Sequence, residues 1–173
     1  MLFLDSLNQL YVYESQLSML IRMTQTVSGA KQLLENKIFL RLIHCQFIDQ
    51  RPDYSSLSEE DGGWFPSVVE RYHQLFLPIL RLVVCLLLSH PHHEDVASQV
   101  TKSAPIDCFY LLLNILLNFF CLKALDFVVA HSEGIAAVLK ERGSEAWNHE
   151  RLEEAREVSA LFYLLSLSLP LMQ

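Results

Sequence analysis

Apolar side chains recur at steps of three and four residues along most of the chain, the spacing that places them on one face of an α-helix. No stretch of useful length alternates between apolar and polar residues, as a half-buried β-strand would. We therefore predict an all-α fold in which each helix has one apolar face that a neighbouring helix must cover. The clearest stripes are formed by Phe3, Leu7, Leu10, Leu17 and Ile21, then by Leu34, Ile38, Leu42 and Cys45, and near the end by Leu152, Ala155, Val158, Phe162, Leu165 and Leu169.

Glycine and proline mark the predicted ends of these helices. Ser28 and Gly29 separate the first helix from the second. Pro66 fits the first position of a third helix, where its missing N–H costs nothing. Pro78 lies inside that helix and is expected to kink it, and Pro170 ends the last helix.

Composition limits the class of protein. With 173 residues, 51% of them hydrophobic and 19% charged, the chain suits one helical domain over 1–173 or a fragment of a larger protein, and it is too apolar to be intrinsically disordered. The net charge is −7. An acidic chain lacks the basic surface that phosphate backbones attract, so we expect no nucleic-acid partner.

The cysteines indicate an intracellular protein. Cys45, Cys85, Cys108 and Cys121 lie singly in apolar stretches without a C-x-x-C pair, as small buried side chains do in a reducing compartment. Residues 1–5 contain neither a basic region nor a cleavage site of the kind that a signal peptide carries.

Two segments depart from the amphipathic pattern. Residues 49–66 are polar and rich in helix breakers, which predicts a long polar loop. Cys108–Leu122 is almost wholly apolar, with Asn114 and Asn118 as its only polar members. As a helix this run spans ~22 Å, against ~30 Å of bilayer core. We therefore favour a buried core helix, with an inserted or interfacial membrane segment as the alternative and membrane contact unfavoured.

The adjacent pair His44-Cys45 superficially suggests a nucleophile beside its base. Neighbouring residues on a helix point ~100° apart and do not face each other. A reactive cysteine also needs an electropositive and partly exposed environment, whereas Cys45 falls in an apolar stripe. We interpret Cys45 as a packed structural residue.

The other polar clusters do not indicate a catalytic or metal site. The connector that contains His90, His92 and His93 has no second ligand pair at zinc spacing, so we interpret it as a solvent-exposed loop. Glu153 and Glu154 read as part of an ordinary charged helix face. Phosphate-binding, nucleophile-elbow and zinc-protease motifs are absent from the sequence. We predict no enzyme, no catalytic residue, no cofactor or metal and no small-molecule substrate.

Four segments, in their order and spacing, resemble the large inner-ring scaffold nucleoporins of the nuclear pore complex. They are Tyr13-Glu14-Ser15-Gln16, residues 41–52 (RLIHCQFIDQRP), residues 71–78 (RYHQLFLP) and residues 127–135 (FVVAHSEGI). The resemblance covers most of the chain except about 103–126, and it weakens after Arg142.

The resemblance implies a fragment of a giant α-solenoid at the nuclear envelope, in the nucleus. It implies a structural function, namely supporting the inner ring and nucleocytoplasmic transport by binding other scaffold and linker nucleoporins. End helices of such a fragment should expose apolar surface to further helices of the stack. The residues that bind partners are not identified by the sequence.

Residues 103–126 form the compositional outlier. If they are removed, Val96, Val100, Phe127 and Val128 fall at i, i+4, i+7 and i+8 of one helical stripe. We therefore predict that 103–126 is an apolar insertion, such as a translated intron or an error in the gene structure.

Overall fold

The computed structural model describes residues 2–52, 67–89, 121–140 and 149–168, and these ranges are helical with short connections and no strand. The predicted all-α class is confirmed for this part of the chain, whereas the stacking of a solenoid remains a prediction. The helices are α1 (Leu2–Thr24), α2 (Val27–Glu35), α3 (Ile38–Ile43), a 3₁₀ helix (Gln46–Asp49), α4 (Val68–Leu88), α5 (121–130), α6 (Ser132–Lys140) and α7 (His149–Ser168).

The boundary between α1 and α2 differs from the prediction. The chain turns at Gln25 and Thr26, and the Thr26 side chain caps α2 by accepting a hydrogen bond from the Gly29 N–H at 3.1 Å. Gly29 is therefore inside the first turn of α2 rather than between helices. A Cβ on Gly29 would lie 2.2 Å from the Met23 carbonyl oxygen, so glycine is needed for the close approach of α1 and α2.

The predicted second helix is divided in two. Lys37 has a φ of 57° and a ψ of 41°, the left-handed conformation that ends a helix. Its N–H donates to the Leu34 carbonyl at 2.8 Å, and α3 begins at the next residue. The predicted stripe is consequently interrupted: Ile38 and Leu42 are buried, whereas Leu34 and Cys45 are only partly buried.

Helix α4 begins with a capping box and forms the centre of the fold. The Ser67 hydroxyl accepts from the Glu70 N–H at 3.2 Å, and the Ser67 N–H donates to the Glu70 carboxylate at 2.6 Å. The N-cap is thus Ser67, and Pro66 lies outside the described residues. Pro78 lies inside α4 as predicted. The most extensive helix contacts in the described ranges are those of α4 with α7 and α1.

The core is continuous from α1 to α7. Its members include Leu17, Leu33, Phe39, Leu42 and Ile48 from the first part of the chain, Phe76, Leu80, Val83 and Leu86 from α4, and Ala124, Phe127, Ile135, Val158 and Leu161 from the helices that follow. Among the described helices, α4 alone is long and apolar enough to cross a membrane, but half of its most apolar stretch is buried inside the fold. Such burial is typical of the core helix of a globular protein.

The buried face of α7 is rotated from the predicted one. Leu152 is 60% exposed and Phe162 is 41% exposed, although both were expected to point inward. Glu154 and Glu157 are buried instead, together with Val158, Leu161 and Leu165. The rotation occurs because both carboxylates pair with basic side chains of other elements.

The structure describes only the edges of the two segments that depart from the amphipathic pattern. Of the predicted 49–66 loop, Asp49 ends the 3₁₀ helix, 50–52 follow without regular structure, and 53–66 lie outside the described residues. Residues 121–126, the end of the predicted insertion, belong to the same helix as 127–130, with Cys121 and Ala124 in the core. The prediction for 103–126 therefore stays a prediction.

Candidate functional site

The most elaborate polar arrangement in the described ranges joins the segment after α3 to three other elements. We call it the clamp, and it consists of the side chains of Asp49, Arg51, Tyr72, His73, His131 and Glu154. The segment reaches this position because Ile48, the middle of the 3₁₀ helix, is fully buried in the core. Burial of Ile48 thus brings the Arg51 side chain into the interior, whereas Asp49 stays partly exposed at the edge of the clamp.

Glu154 is the centre of the clamp. Its carboxylate is fully buried, and Arg51 Nη1 donates to its Oε2 at 3.0 Å. His73 Nδ1 lies 2.5 Å from the other oxygen, Oε1, within ion-pair distance. All three side chains are at least nine-tenths buried, and each partner compensates the others for lost hydration.

Tyr72 extends the clamp to the main chain. Its hydroxyl donates to the Ile48 carbonyl at 2.7 Å, and the Arg51 guanidinium lies 5.7 Å from its ring centroid, within cation–π range. Burial raises the pKa of Tyr72 above its usual value, although the neighbouring Arg51 opposes this shift. Tyr72 is therefore a neutral hydrogen-bond donor at physiological pH.

His131 lies between α5 and α6 and connects them to α3 and to the 3₁₀ helix. Its Nε2 lies 3.0 Å from the Leu42 carbonyl oxygen and its Nδ1 lies 3.1 Å from the Asp49 carboxylate. A carbonyl and a carboxylate both accept hydrogen bonds, so either ring nitrogen can donate to its partner when it carries a proton. The ring also packs edge-on against Phe127, with 5.0 Å between the centroids.

Gly134 permits the close approach of α6. A Cβ at this position would lie 2.8 Å from the Ile48 carbonyl oxygen, which is the acceptor for Tyr72. Two elements thus converge on one peptide group of the 3₁₀ helix, and only glycine leaves room for both.

A second ion-pair cluster joins α4 to α7 closer to the surface. Arg81 donates to Glu153 at 2.9 Å and lies 3.5 Å from Glu157, which also contacts Arg156 at 3.0 Å. Glu157 is buried, whereas Arg81 and Glu153 are partly exposed. The prediction of an ordinary charged helix face is therefore wrong for Glu154, which faces the interior.

The structure separates the pair suspected of nucleophilic chemistry. His44 is exposed at the end of α3, and the Cys45 thiol donates to the Arg41 carbonyl at 3.4 Å. Burial raises the pKa of Cys45, which disfavours the reactive thiolate. Within the described ranges no group of three or more His, Cys, Asp or Glu residues could hold a metal ion.

Two other predicted features fall mainly outside the described residues. The histidine connector 90–93 lies there entirely. Of the run Cys108–Leu122, only its last two residues are described, Cys121 buried and Leu122 exposed.

Sequence reasoning missed the clamp, although one signal was present. Glu154 stands in register with Val158, Leu161 and Leu165, so a charge interrupts an otherwise apolar stripe. A charge at such a position requires a buried partner. The sequence does not say which basic residue supplies it, since Arg51 is 103 positions away.

The segments that resemble the nucleoporin family meet at the clamp. Segments 41–52, 71–78 and 127–135 supply all of its residues except Glu154. Tyr13 joins the fourth segment to them by donating to a main-chain carbonyl of α4 at 2.6 Å. The described helices and the clamp define a class of protein: a helical structural element whose buried charged side chains pair with one another.

Comparison with known proteins gives the family. The chain matches the family Nup192, described as nuclear pore complex scaffold, nucleoporins 186/192/205, over residues 3–167, and it belongs to that family. The predicted resemblance is confirmed, and membership places the chain in the nuclear pore complex at the nuclear envelope.

Two curated relatives agree with this family. The chain is 32% identical over 139 residues to nuclear pore complex protein Nup205 of Homo sapiens. The aligned region covers 78% of this chain and 6% of that protein. It is 34% identical over 100 residues to Nup205 of Drosophila melanogaster, which covers 56% of this chain and 5% of that protein. The chain therefore spans only a small part of the length of these relatives.

Proposed function

We propose that this chain is a structural element of the nuclear pore scaffold that supports nucleocytoplasmic transport by binding other nucleoporins and that catalyses no reaction. The observation that carries the proposal is the clamp. Its ionisable side chains contact one another and the main chain, and they hold the 42–51 segment against α4, α5, α6 and α7. We infer that these buried ion pairs select one defined packing of the helices in this chain.

Exposed apolar side chains on the first and last described helices support the same proposal. Tyr11, Val12 and Met19 are more than half exposed on α1, and Leu152 and Tyr163 are so on α7. Clusters of large exposed apolar side chains mark protein interaction surfaces. Further helices of a stack would cover them.

Localisation with matched surface variants tests the proposal. We expect a fluorescent fusion of the chain to concentrate at the nuclear rim and a proximity-labelling fusion to label other nucleoporins. Tyr163→Asp should weaken both signals because it places a charge on the exposed face of α7, whereas Val68→Asp on α4 should leave them unchanged. Far-UV circular dichroism establishes that both variants fold.

Two results would contradict this function. A folded chain that stays diffuse in the cell and labels no nucleoporin would contradict the proposed scaffold function. Flotation of the purified chain with liposomes would instead support the alternative of a membrane-associated helical protein.

A further inference from the structure

A cleft lies beside the junction of α2 and α3 and next to Lys123 of α5. Its volume is about 260 Å³. Four apolar side chains and two lysines line it: Leu34, Lys37, Phe39, Leu40, Ile43 and Lys123. Lys37, which adopts the left-handed conformation between α2 and α3, is part of this lining.

The size of the cleft limits what it can hold. Pockets for drug-sized ligands and cofactors occupy about 300–1,000 Å³, so this cleft suits one or two large side chains rather than a whole cofactor. Leu40 is 49% exposed at its edge although it belongs to the apolar lining. An apolar side chain that enters the cleft would bury Leu40 further.

The charge at the cleft is positive in an otherwise acidic chain. Lys37 is exposed, and Lys123 pairs with Asp126 at 3.0 Å on the surface. An exposed pair of that kind contributes only about 0–1 kcal/mol, so an incoming carboxylate can compete for Lys123. Because the chain as a whole carries −7, an extended anionic membrane surface fits poorly, whereas a short acidic segment can bind exposed Lys37 and compete with Asp126 for Lys123.

We propose that this cleft docks a peptide segment of a partner protein that inserts a large apolar side chain and places an Asp or Glu beside it. Leu34, Phe39 and Leu40 contact the apolar side chain. Lys37 and Lys123 bind the carboxylate. The proposal rests on the proposed function, since it assigns one of the surfaces through which the scaffold binds a partner.

Selection from random peptides displayed on phage tests the proposal with the full chain. We expect the recovered peptides to combine Leu, Ile, Phe or Trp with Asp or Glu. Synthetic copies should bind in fluorescence anisotropy and should lose about tenfold or more in affinity when their acidic residues become Lys, since tenfold is about 1.4 kcal/mol. Added salt should weaken binding.

Matched variants locate the binding site. Leu40→Asp and Lys37→Glu should each weaken binding about tenfold or more. Their controls are Val68→Asp, at a residue 62% exposed on α4, and Lys31→Glu, at an exposed lysine of α2 outside the cleft. Both controls should bind as the unaltered chain does.

Three results would overturn the proposal: recovery of no peptide, recovery of peptides without acidic residues, and equal binding by the cleft variants. Binding of vesicles of phosphatidylcholine and phosphatidylserine through Leu40 and Lys37, in place of peptides, would overturn it in favour of a lipid ligand. If the unaltered chain still concentrates at the nuclear rim after such a result, the scaffold function stands and only the cleft fails.

Discussion

Replacing Glu154 by Gln removes one charge from the centre of the clamp and nearly preserves the volume of the side chain. The change leaves the buried Arg51 guanidinium without its carboxylate, and the short contact with His73 is lost. Removing one partner of a buried ion pair costs about 3–5 kcal/mol. Domains of this size are stable by about 5–15 kcal/mol, so Glu154→Gln should remove a large part of the free energy of unfolding.

Urea denaturation followed by far-UV circular dichroism measures this loss. The neighbouring variant Glu153→Gln is the matched control, because Glu153 makes a similar contact with Arg81 at 2.9 Å but is partly exposed. Exposed pairs are worth about 0.2–1 kcal/mol, so the control should lose no more than that.

A double variant separates the contribution of the ion pair to stability from the contribution of the volume that its side chains fill. Arg51→Met combined with Glu154→Leu replaces both charges with apolar groups, and it should be more stable than Glu154→Gln alone because no buried charge is left unpaired. The reasoning about a buried clamp is refuted if Glu154→Gln costs no more stability than Glu153→Gln. It is also refuted if the double variant loses as much stability as Arg51→Met and Glu154→Leu lose together when each is made alone.

Three further predictions concern Tyr72, Gly134 and the segment 103–126. Burial raises the pKa of Tyr72, so its contribution to stability is complete below the pKa of about 10 of an unfolded tyrosine and falls as pH rises above that value. Tyr72→Phe should therefore lose stability at neutral pH, because the hydrogen bond to Ile48 is lost, but its free energy of unfolding should fall less steeply at alkaline pH in urea titrations. An unchanged dependence of the free energy of unfolding on pH would contradict this. Gly134→Ala should destabilise the chain by about 1–3 kcal/mol because its Cβ meets the Ile48 carbonyl, whereas Gly→Ala inside an open helix stabilises; a raised melting temperature would disprove the close approach. Sequencing of the transcript tests the insertion at 103–126: a mature message that encodes these residues would defeat the artefact hypothesis.

Much of the fold could be predicted from the apolar pattern alone. The period of the first stripe identified α1, because its apolar positions repeat over many turns. The pattern failed where local backbone geometry decided the outcome. Nothing in the periodicity of residues 30–45 indicates that Lys37 adopts a left-handed conformation and divides the predicted helix.

The site could be predicted only in part, since its residues come from distant positions. The family-like segments contain Asp49, Tyr72 and His131, but the sequence assigned none of them a partner. Glu154 was expected on a solvated face because its neighbours in the sequence are charged. Its burial follows from contacts with residues of other elements, which helical periodicity does not encode.

The sequence by itself determined that this chain is helical, that it belongs with the nuclear pore scaffold nucleoporins, and that no familiar catalytic motif is written in it, because these properties reside in local periodicity and in ordered motifs. Only the tertiary structure decided which face of α7 turns inward and which charged groups become buried. The reason is physical: a carboxylate leaves water only where matching donors are already held in place, and that depends on how separate helices pack.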